Sequence, residues 1–396
     1  MIVLYVTEFF SERMGYSENT LPKAVASLGH EVHVIASDLQ VYGNLPDYEK
    51  TYGRYLGPRI VPTGTKEIDG YLLHRLPHRL IGGYTDIKGL VRAVSALRPK
   101  VVQALNCASS SCLKLALASP IFGYKLYSEC HQHLSVVKPF LRESDGRSLE
   151  KVRYRLTRTL PGFLASLFTI KCFAIAEDCA FVANEYFGVQ KDKISFMPLG
   201  SDTELFCPPS NNSLANERDL LRQNLEVSEN DILCIYTGRF SKDKNPLLLA
   251  RAISILNEQG FSFKALFIGN GPQVDDILAC HGCAVIPFVP FQELPKYYRA
   301  ADIGVWPTQE SLSMLDAASC GIPIVVSNRI GEPGRVEGNG VFYAEGDEED
   351  LAAALYGLRS KDRRQQLGTA GRAKIVEKYS WIRIASDLVS EYGRSS

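Results

Sequence analysis

The sequence lacks an excess of charge of either sign, with 44 lysines and arginines against 44 aspartates and glutamates. That balance removes the global basic field of a nucleic-acid binder, so any recognition of charge has to be local. Long apolar runs are missing too. The most apolar stretch, 160–176, is interrupted by Pro161, Gly162 and Lys171 and makes a poor span of about 20 apolar residues. No basic leader or small-residue cleavage site precedes Ile2–Val6, which reads as a buried strand of a cytoplasmic chain. The ten cysteines are scattered through apolar segments without the dense spacing of a disulfide framework, which fits a reducing compartment.

What is present is the composition of a globular protein: 396 residues, 45% hydrophobic and 22% charged, enough for two domains with separate cores. Short apolar runs alternate with helical patterns, the signature of parallel strands joined by crossover helices, so the class is α/β. Strands are expected near 2–7, 31–37, 71–76, 101–105, 125–129 and 173–176. After the Pro- and Asn-rich connection 198–216, a second set follows at 232–237, 263–268, 284–286, 303–306, 322–326 and 341–343. The stretch 40–65, rich in Gly, Pro and Tyr and without periodicity, reads as a surface loop or a substrate-facing lid, with the loop preferred. Two doubly wound domains of similar size, facing each other across a cleft at their strand ends, are the expected architecture.

Three segments of the second half could carry chemistry. Gly238-Arg239-Phe240-Ser241-Lys242-Asp243-Lys244 leaves a strand at its carboxyl end and offers Arg239 and Lys244 to a diphosphate, or is a solvated basic turn. Gly269-Asn270-Gly271 permits close backbone approach to a ligand, or serves tight packing. Finally, 303–306 leads through Glu310 into the helix that begins Ser311-Leu312-Ser313-Met314-Leu315-Asp316. Its free amides suit phosphate oxygens, and Glu310 and Asp316 suit sugar or ribose hydroxyls; the plain alternative is a capped core helix.

In the first half, Gly15-Tyr16-Ser17-Glu18 follows the first strand, and Cys130-His131-Gln132-His133 follows the strand 125–129. The two histidines could be half of a zinc site, but no nearby carboxylate or cysteine pattern completes it, so polar cleft residues are expected. Cys280-His281-Gly282-Cys283 stands alone and reads as surface thiols in a turn; no metal site is expected.

Taken in order, these pieces resemble the retaining nucleotide-sugar glycosyltransferases of family 4, which have the GT-B fold. Gly15 to Glu18 is similar to that family's Gly-Gly-x-Glu loop, and Gly29-His30-Glu31-Val32 to the entry of its second strand. Further likenesses are Pro198 to Phe206 at the domain crossing, Gly238 to Lys244 with its Arg and Lys pair, Glu293 to Asp302 before the carboxylate motif, and Tyr379-Ser380-Trp381 opening the last helix. The resemblance implies an acceptor-side domain over 1–198, a nucleotide-sugar-binding domain over 199–380, and a terminal helix 381–396 crossing back.

It also implies roles. Arg239 and Lys244 would hold the diphosphate with Gly238 and Gly269 nearby, the amides of Ser311, Leu312, Ser313 and Met314 the phosphate, and Asp316 the ribose. The base would lie near Phe288 and Val289, and His131, with His133 as second choice, beside the donor sugar near Gly15 and Tyr16. Retention with same-face attack needs no strong protein base, and stabilising the leaving phosphate dominates. No cofactor is implied beyond a UDP- or GDP-linked donor as substrate. Two departures stand out. The family's two Glu are separated by seven intervening residues, and counting back from Asp316 on that spacing reaches Thr308, with Glu310 the nearest acid; the family's second Gly is Tyr16. Asp-x-Asp is absent, which argues against a metal-dependent GT-A enzyme.

The run Lys151, Arg153, Arg155, Arg158, followed by apolar 160–168, suits a membrane interface carrying anionic lipid, or is a basic face beside a buried helix. The expected function is sugar transfer to a glycan or lipid-linked acceptor in cell-surface polysaccharide or lipopolysaccharide synthesis. A nucleotide-sugar epimerase of the same architecture and a catalytically silent binding subunit are the rivals. A dehydrogenase is disfavoured, because Thr7 to Arg13 replaces Gly-x-Gly-x-x-Gly after the first strand.

Overall fold

The structure, a computed structural model, describes residues 1–81, 84–134, 136–137, 152–308 and 311–394. It divides into two compact units, Met1–Leu199 with Ile384–Ser396, and Gly200–Arg383.

The first unit is built on an eight-stranded sheet. Its strands are β1 (Ile2–Thr7), β2 (Glu31–Ser37), β3 (Gly64–Ile68), β4 (Tyr71–Leu76), β7 (Val101–Ala104), β8 (Lys125–Cys130), β9 (Thr169–Ala174) and β10 (Ile194–Phe196), in the order β10-β9-β8-β7-β1-β2-β4-β3. A separate hairpin pairs β5 (His78–Ile81) with β6 (Tyr84–Ile87). The central strand β1 is buried on both faces and pairs in parallel with β2 and β7, Val3 facing Val32 and Val101, which is why it reads as an unbroken apolar run. One core cluster gathers Leu4, Val6, Ile35, Val102 and Leu115. A second holds four cysteines, Cys107, Cys130, Cys172 and Cys179, among Val137, Val182, Phe187 and Val189. All ten cysteines are free.

The segment 40–65 is no simple loop, and its last two residues open β3. Tyr48, Tyr52 and Leu56 are buried along a helical turn over 49–56, and Tyr42 stacks on Tyr52 at 4.6 Å between ring centroids. Aromatic burial, which has no period, holds this segment where helical or strand patterning would otherwise be needed.

The second unit has a six-stranded, wholly parallel sheet of β11 (Ile232–Arg239), β12 (Phe263–Asn270), β13 (Cys283–Ile286), β14 (Ile303–Trp306), β15 (Ile324–Ser327) and β16 (Gly340–Tyr343). The order β13-β12-β11-β14-β15-β16 runs outward from β11 in both directions. Winding therefore reverses between β11 and β14, the position at which open α/β sheets take ligands beyond their carboxyl ends. The last helix, Trp381–Arg394, starts in the second unit and from Ile384 belongs to the first. There Tyr392 is buried against Tyr127, and Lys125 Nζ donates to its carbonyl at 2.8 Å.

Candidate functional site

The carboxyl edge of the second sheet gathers most of the charged candidates. Arg239 closes β11 in an exposed position, and Lys244 follows, half-buried, in the turn before the helix Pro246–Glu258. Asn245 takes the left-handed conformation (φ 48°) that starts this helix, one that Asn tolerates better than most residues. Burial pushes the Asp243 carboxyl up, yet hydrogen bonds from Ser241 and the backbone and the charges of Arg239 and Lys244 hold it below its ordinary value. Across the switch point, Thr308 Oγ1 donates to the Lys244 carbonyl at 2.8 Å, and Trp306 Nε1 to that of Thr237 at 3.3 Å. Thr308, which the resemblance sets at the first carboxylate position, is thus used to fasten the Lys244 turn.

The glycines of this edge have a packing explanation. Gly269 has φ 151°, and a Cβ there would lie 1.8 Å from the Gly238 carbonyl; at Gly271 it would lie 2.4 Å from that of Phe240. The ends of β11 and β12 therefore press backbone against backbone. Gly238, with φ 149°, leaves room for the Tyr236 hydroxyl, which donates to the Arg239 carbonyl at 2.9 Å and fixes the turn. Phe288 and Val289 sit half-buried beyond β13 at the same edge.

The helix Leu312–Ser319 is largely capped by its own chain. Ser311 Oγ accepts from the Ser313 amide at 3.3 Å, the Met314 amide donates to the Ser311 carbonyl at 3.1 Å, and the Ser311 amide donates to Met314 Sδ at 3.4 Å. Three of the four amides expected to meet phosphate thus already have partners; Leu312 is the other. Glu310 lies outside the described residues. Asp316 is buried, 5% exposed, and its Oδ1 accepts from Ser201 Oγ at 2.7 Å. Burial pushes its carboxyl up to about 8, against the Ser201 bond. The carboxylate that the resemblance gives to a ribose is therefore turned to the chain's own Ser201.

At the carboxyl edge of the first sheet the chemistry is acidic and buried. His131 Nε2 meets Glu129 Oε2 at 2.5 Å, Gln103 donates to Glu129 Oε1, and Tyr392 of the last helix donates to Gln103. Burial opposes the imidazolium of His131, but Glu129 outweighs it and raises the pKa. Glu18, at the start of the helix Ser17–Ser27, is pushed up to about 7 by burial, with His131 acting to lower it and Glu129 to raise it. Glu18 thus interacts with Glu129 and His131 although the chain separates it from them by more than a hundred residues. Tyr16, just after Gly15, spends its hydroxyl on Tyr42 at 2.8 Å and so joins the loop after β1 to the aromatic segment 42–52.

His133 points elsewhere. Its Nδ1 lies 3.1 Å from both carboxylate oxygens of Asp178 and 3.7 Å from Cys179 Sγ, on the helix Glu177–Glu185. The fold supplies the carboxylate and the thiol that no neighbouring sequence pattern offered.

Next to this edge, a pocket of about 250 Å³ is lined by Glu8, Tyr84, Asn106, Ser109 and Arg158 among others. Burial raises the Glu8 pKa, partly offset by hydrogen bonds from Ser109 and Ser111. Arg158 stacks on Tyr84 with 3.9 Å to the ring centroid and donates to the Ala108 carbonyl, so it forms a pocket wall and not part of an outward basic face. Sequence reading missed Glu8, Asn106 and Ser109. They come from loops a hundred residues apart, and only their position after β1 and β7 marked them.

Residues 231–361 match the family model described as "Glycosyl transferases group 1". Among curated proteins the chain is similar to spore coat protein SA of Bacillus subtilis, 26% identical over 226 residues, covering 52% of this chain and 60% of that protein. It is similar as well to a D-inositol 3-phosphate glycosyltransferase of Geodermatophilus obscurus, 28% identical over 229 residues, covering 52% and 49%. The chain spans about half the length of the curated relatives it matches. Among solved structures, Anabaena Alr3699/HepE in complex with UDP superimposes with a TM-score of 0.69 at 16% identity, over 100% of both chains. Sucrose-phosphate synthase from Thermosynechococcus elongatus gives 0.70 at 16%, over 100% and 98%. The fold is accordingly GT-B, with two Rossmann-like halves.

Proposed function

We propose that the chain is a retaining glycosyltransferase that moves a sugar from a nucleotide diphosphate to a glycan or lipid-linked acceptor in cell-surface polysaccharide or lipopolysaccharide synthesis. The observation that carries this reading is the pair Arg239 and Lys244 at the β11 to β14 switch point, inside the segment that matches the group 1 family model. Two cations there bind a diphosphate and stabilise the charge that grows as it leaves. The relatives add to this, one being named a D-inositol 3-phosphate glycosyltransferase and one fold neighbour having been solved with UDP-glucose.

In the first unit, His131, held by Glu129, is assigned to the donor sugar, and the Glu8, Asn106 and Ser109 pocket to acceptor hydroxyls. The resemblance gives Asp316 the ribose, whereas its burial and its bond to Ser201 favour a structural tie; nucleotide affinity of Asp316→Asn separates the two. With cations on the leaving group, the reaction needs no divalent metal. The test is transfer from UDP-, GDP- and ADP-sugars to a membrane-extract acceptor, with the anomeric configuration of the product read by NMR. A retained anomer formed equally in EDTA supports the reading. An inverted product, or a strict Mg²⁺ or Mn²⁺ requirement, overturns it in that part. A silent nucleotide-sugar binder is the second reading, favoured by Thr308 standing at the carboxylate position and bonding to Lys244. It predicts donor binding without transfer.

Peripheral contact with an anionic membrane belongs to the same proposal. Val152, Leu156, Leu160, Phe163 and Leu167 are all between 42% and 58% exposed, next to the exposed Arg153 and Arg155. The helix Leu160–Phe168 packs on Ser110–Phe122, which itself exposes Leu117, Ile121 and Phe122. Outward apolar side chains beside arginines suit an interface with anionic lipid. Among the described residues no helix is long and apolar enough to cross a membrane. Flotation with vesicles of anionic lipid, lost in Leu156→Asp with Phe163→Asp, supports the contact, and equal recovery in the soluble fraction with and without anionic lipid defeats it.

A further inference from the structure

We propose that His133, Asp178 and Cys179 form a binding site for a zinc-class divalent cation, separate from Arg239, Lys244 and His131, and that His133 serves this site and not the donor sugar. The three donors come from two elements. His133 follows β8, and Asp178 and Cys179 are consecutive residues in the first turn of the helix Glu177–Glu185. Their ligand atoms all lie within 4.8 Å of one another. His133 Nδ1 is 3.1 Å from each Asp178 oxygen and 3.7 Å from Cys179 Sγ. Tetrahedral zinc, with bonds of about 2.0–2.3 Å, sets its donor atoms about 3.3–3.8 Å apart, so small shifts bring these three onto one ion.

The connectivity also points to an ion. In a hydrogen-bonded relay, a thiol and an acid take opposite nitrogens of the imidazole. Here both converge on Nδ1, which has a single bonding direction to offer. The surroundings resemble those of a metal ligand set: the Leu134 amide donates to Asp178 Oδ2 at 3.1 Å and orients the carboxylate, while the thiol is fully buried in the cluster with Val137 and Val182. His133 and Asp178 are 47% and 40% exposed on their side chains, which leaves an entry path and room for water as a fourth ligand.

One nitrogen, one sulfur and one carboxylate oxygen suit zinc, and disfavour magnesium and calcium, which take oxygen donors. On binding, the Cys179 S–H bond breaks, its proton goes to solvent, and the thiolate with the ionised Asp178 balances the charge of the cation. An ion here would pin residues 133–134 to the helix Glu177–Glu185 and so steady the segment that carries His131 two residues earlier.

The experiment uses the full chain stripped with chelator. Zinc is titrated in competition with a chromophoric chelator, cobalt is followed by absorption, and magnesium serves as control. We expect one equivalent of zinc, a sulfur-to-cobalt charge-transfer band in the near ultraviolet, and no binding of magnesium. His133→Ala, at a half-exposed position that keeps the fold, should weaken zinc binding about tenfold or more, and Cys179→Ser should abolish the cobalt band. If Cys179→Ser fails to fold, Asp178→Asn replaces it in the zinc titration. The Cys280→Ser, Cys283→Ser double variant should bind as the parent does. No binding by the parent overturns the site, as does binding that survives His133→Ala and disappears in the double variant. These readouts need no sugar transfer, so the site and the proposed function stand or fall separately.

Discussion

The two units are built alike, each a mainly parallel sheet with crossover helices, yet their carboxyl edges carry opposite chemistry. The edge of the second unit presents cations, Arg239 exposed and Lys244 half-buried, on turns stiffened by backbone contact between β11 and β12. The edge of the first unit carries acids and a histidine, with Glu8 and Glu129 buried, Glu18 and His131 half-buried, and His131 held by Glu129. The contrast teaches that this fold sets only where a ligand edge lies. Whether that edge suits a phosphate or a set of hydroxyls depends on which side chains the strand ends deliver.

The most severe way to break the comparison is to fill the space on which each unit's backbone packing depends. Gly269→Ala would set a Cβ 1.8 Å from the Gly238 carbonyl, and Gly162→Ala one 2.1 Å from that of Phe187. Each should cost about 3 kcal/mol in urea unfolding, the upper end for overpacking. A cost below about 0.5 kcal/mol would mean that these backbones do not pack so closely.

A smaller effect separates the two edges. Glu129→Gln keeps the shape of the side chain but removes the charge that holds His131. It should lower the His131 pKa, as read by NMR titration of the ring, and cost about 2 kcal/mol for the lost charged hydrogen bond. Nucleotide affinity, a property of the second unit, should not change. An unmoved His131 titration would show that Glu129 does not hold this ring.

The pH dependence of stability sharpens the comparison because both units contribute to it. Asp316 is pushed up to about 8 and Glu18 to about 7, so each keeps its proton in the folded chain while the unfolded chain loses it from about pH 4 upward. The folded state then binds more protons, and stability falls as pH rises from about 4 to about 8. Each group contributes at most about 1.4 kcal/mol per pH unit. Asp316→Asn and Glu18→Gln should each flatten the fall, measured as unfolding midpoints at pH 5 and pH 8; a slope unchanged by either variant would refute the assignment.

Much of this architecture was legible in the sequence, and what was missed has physical reasons. β1, β2 and β14 lie where apolar runs placed them, because strands buried on both faces leave continuous hydrophobic signatures, and β4, buried at alternate residues, lies at Tyr71–Leu76 as expected. The edge strand β3 and the hairpin β5 with β6 were not seen: β3 and β5 are largely exposed, and β6, though buried, is the polar run Tyr84-Thr85-Asp86-Ile87. The segment around Tyr48 and Tyr52 read as a loop because rings pack without a period. In the candidate site, Arg239 and Lys244 were visible as a motif on one turn. The partner of His133 was not, nor were the side chains that hold Glu129 beside His131, since Asp178, Gln103 and Tyr392 arrive there only through the winding of the sheet.

The measurement that bears most directly on the account is calorimetric titration of UDP, GDP and ADP, with and without a sugar, into the full chain and into Arg239→Ala and Lys244→Ala. The account predicts binding of one nucleotide class by the parent and a loss of about tenfold to a hundredfold in each variant, the worth of a charge-assisted hydrogen bond to phosphate. Binding that both variants retain at full strength, or no binding of any nucleotide by a folded parent, would contradict it.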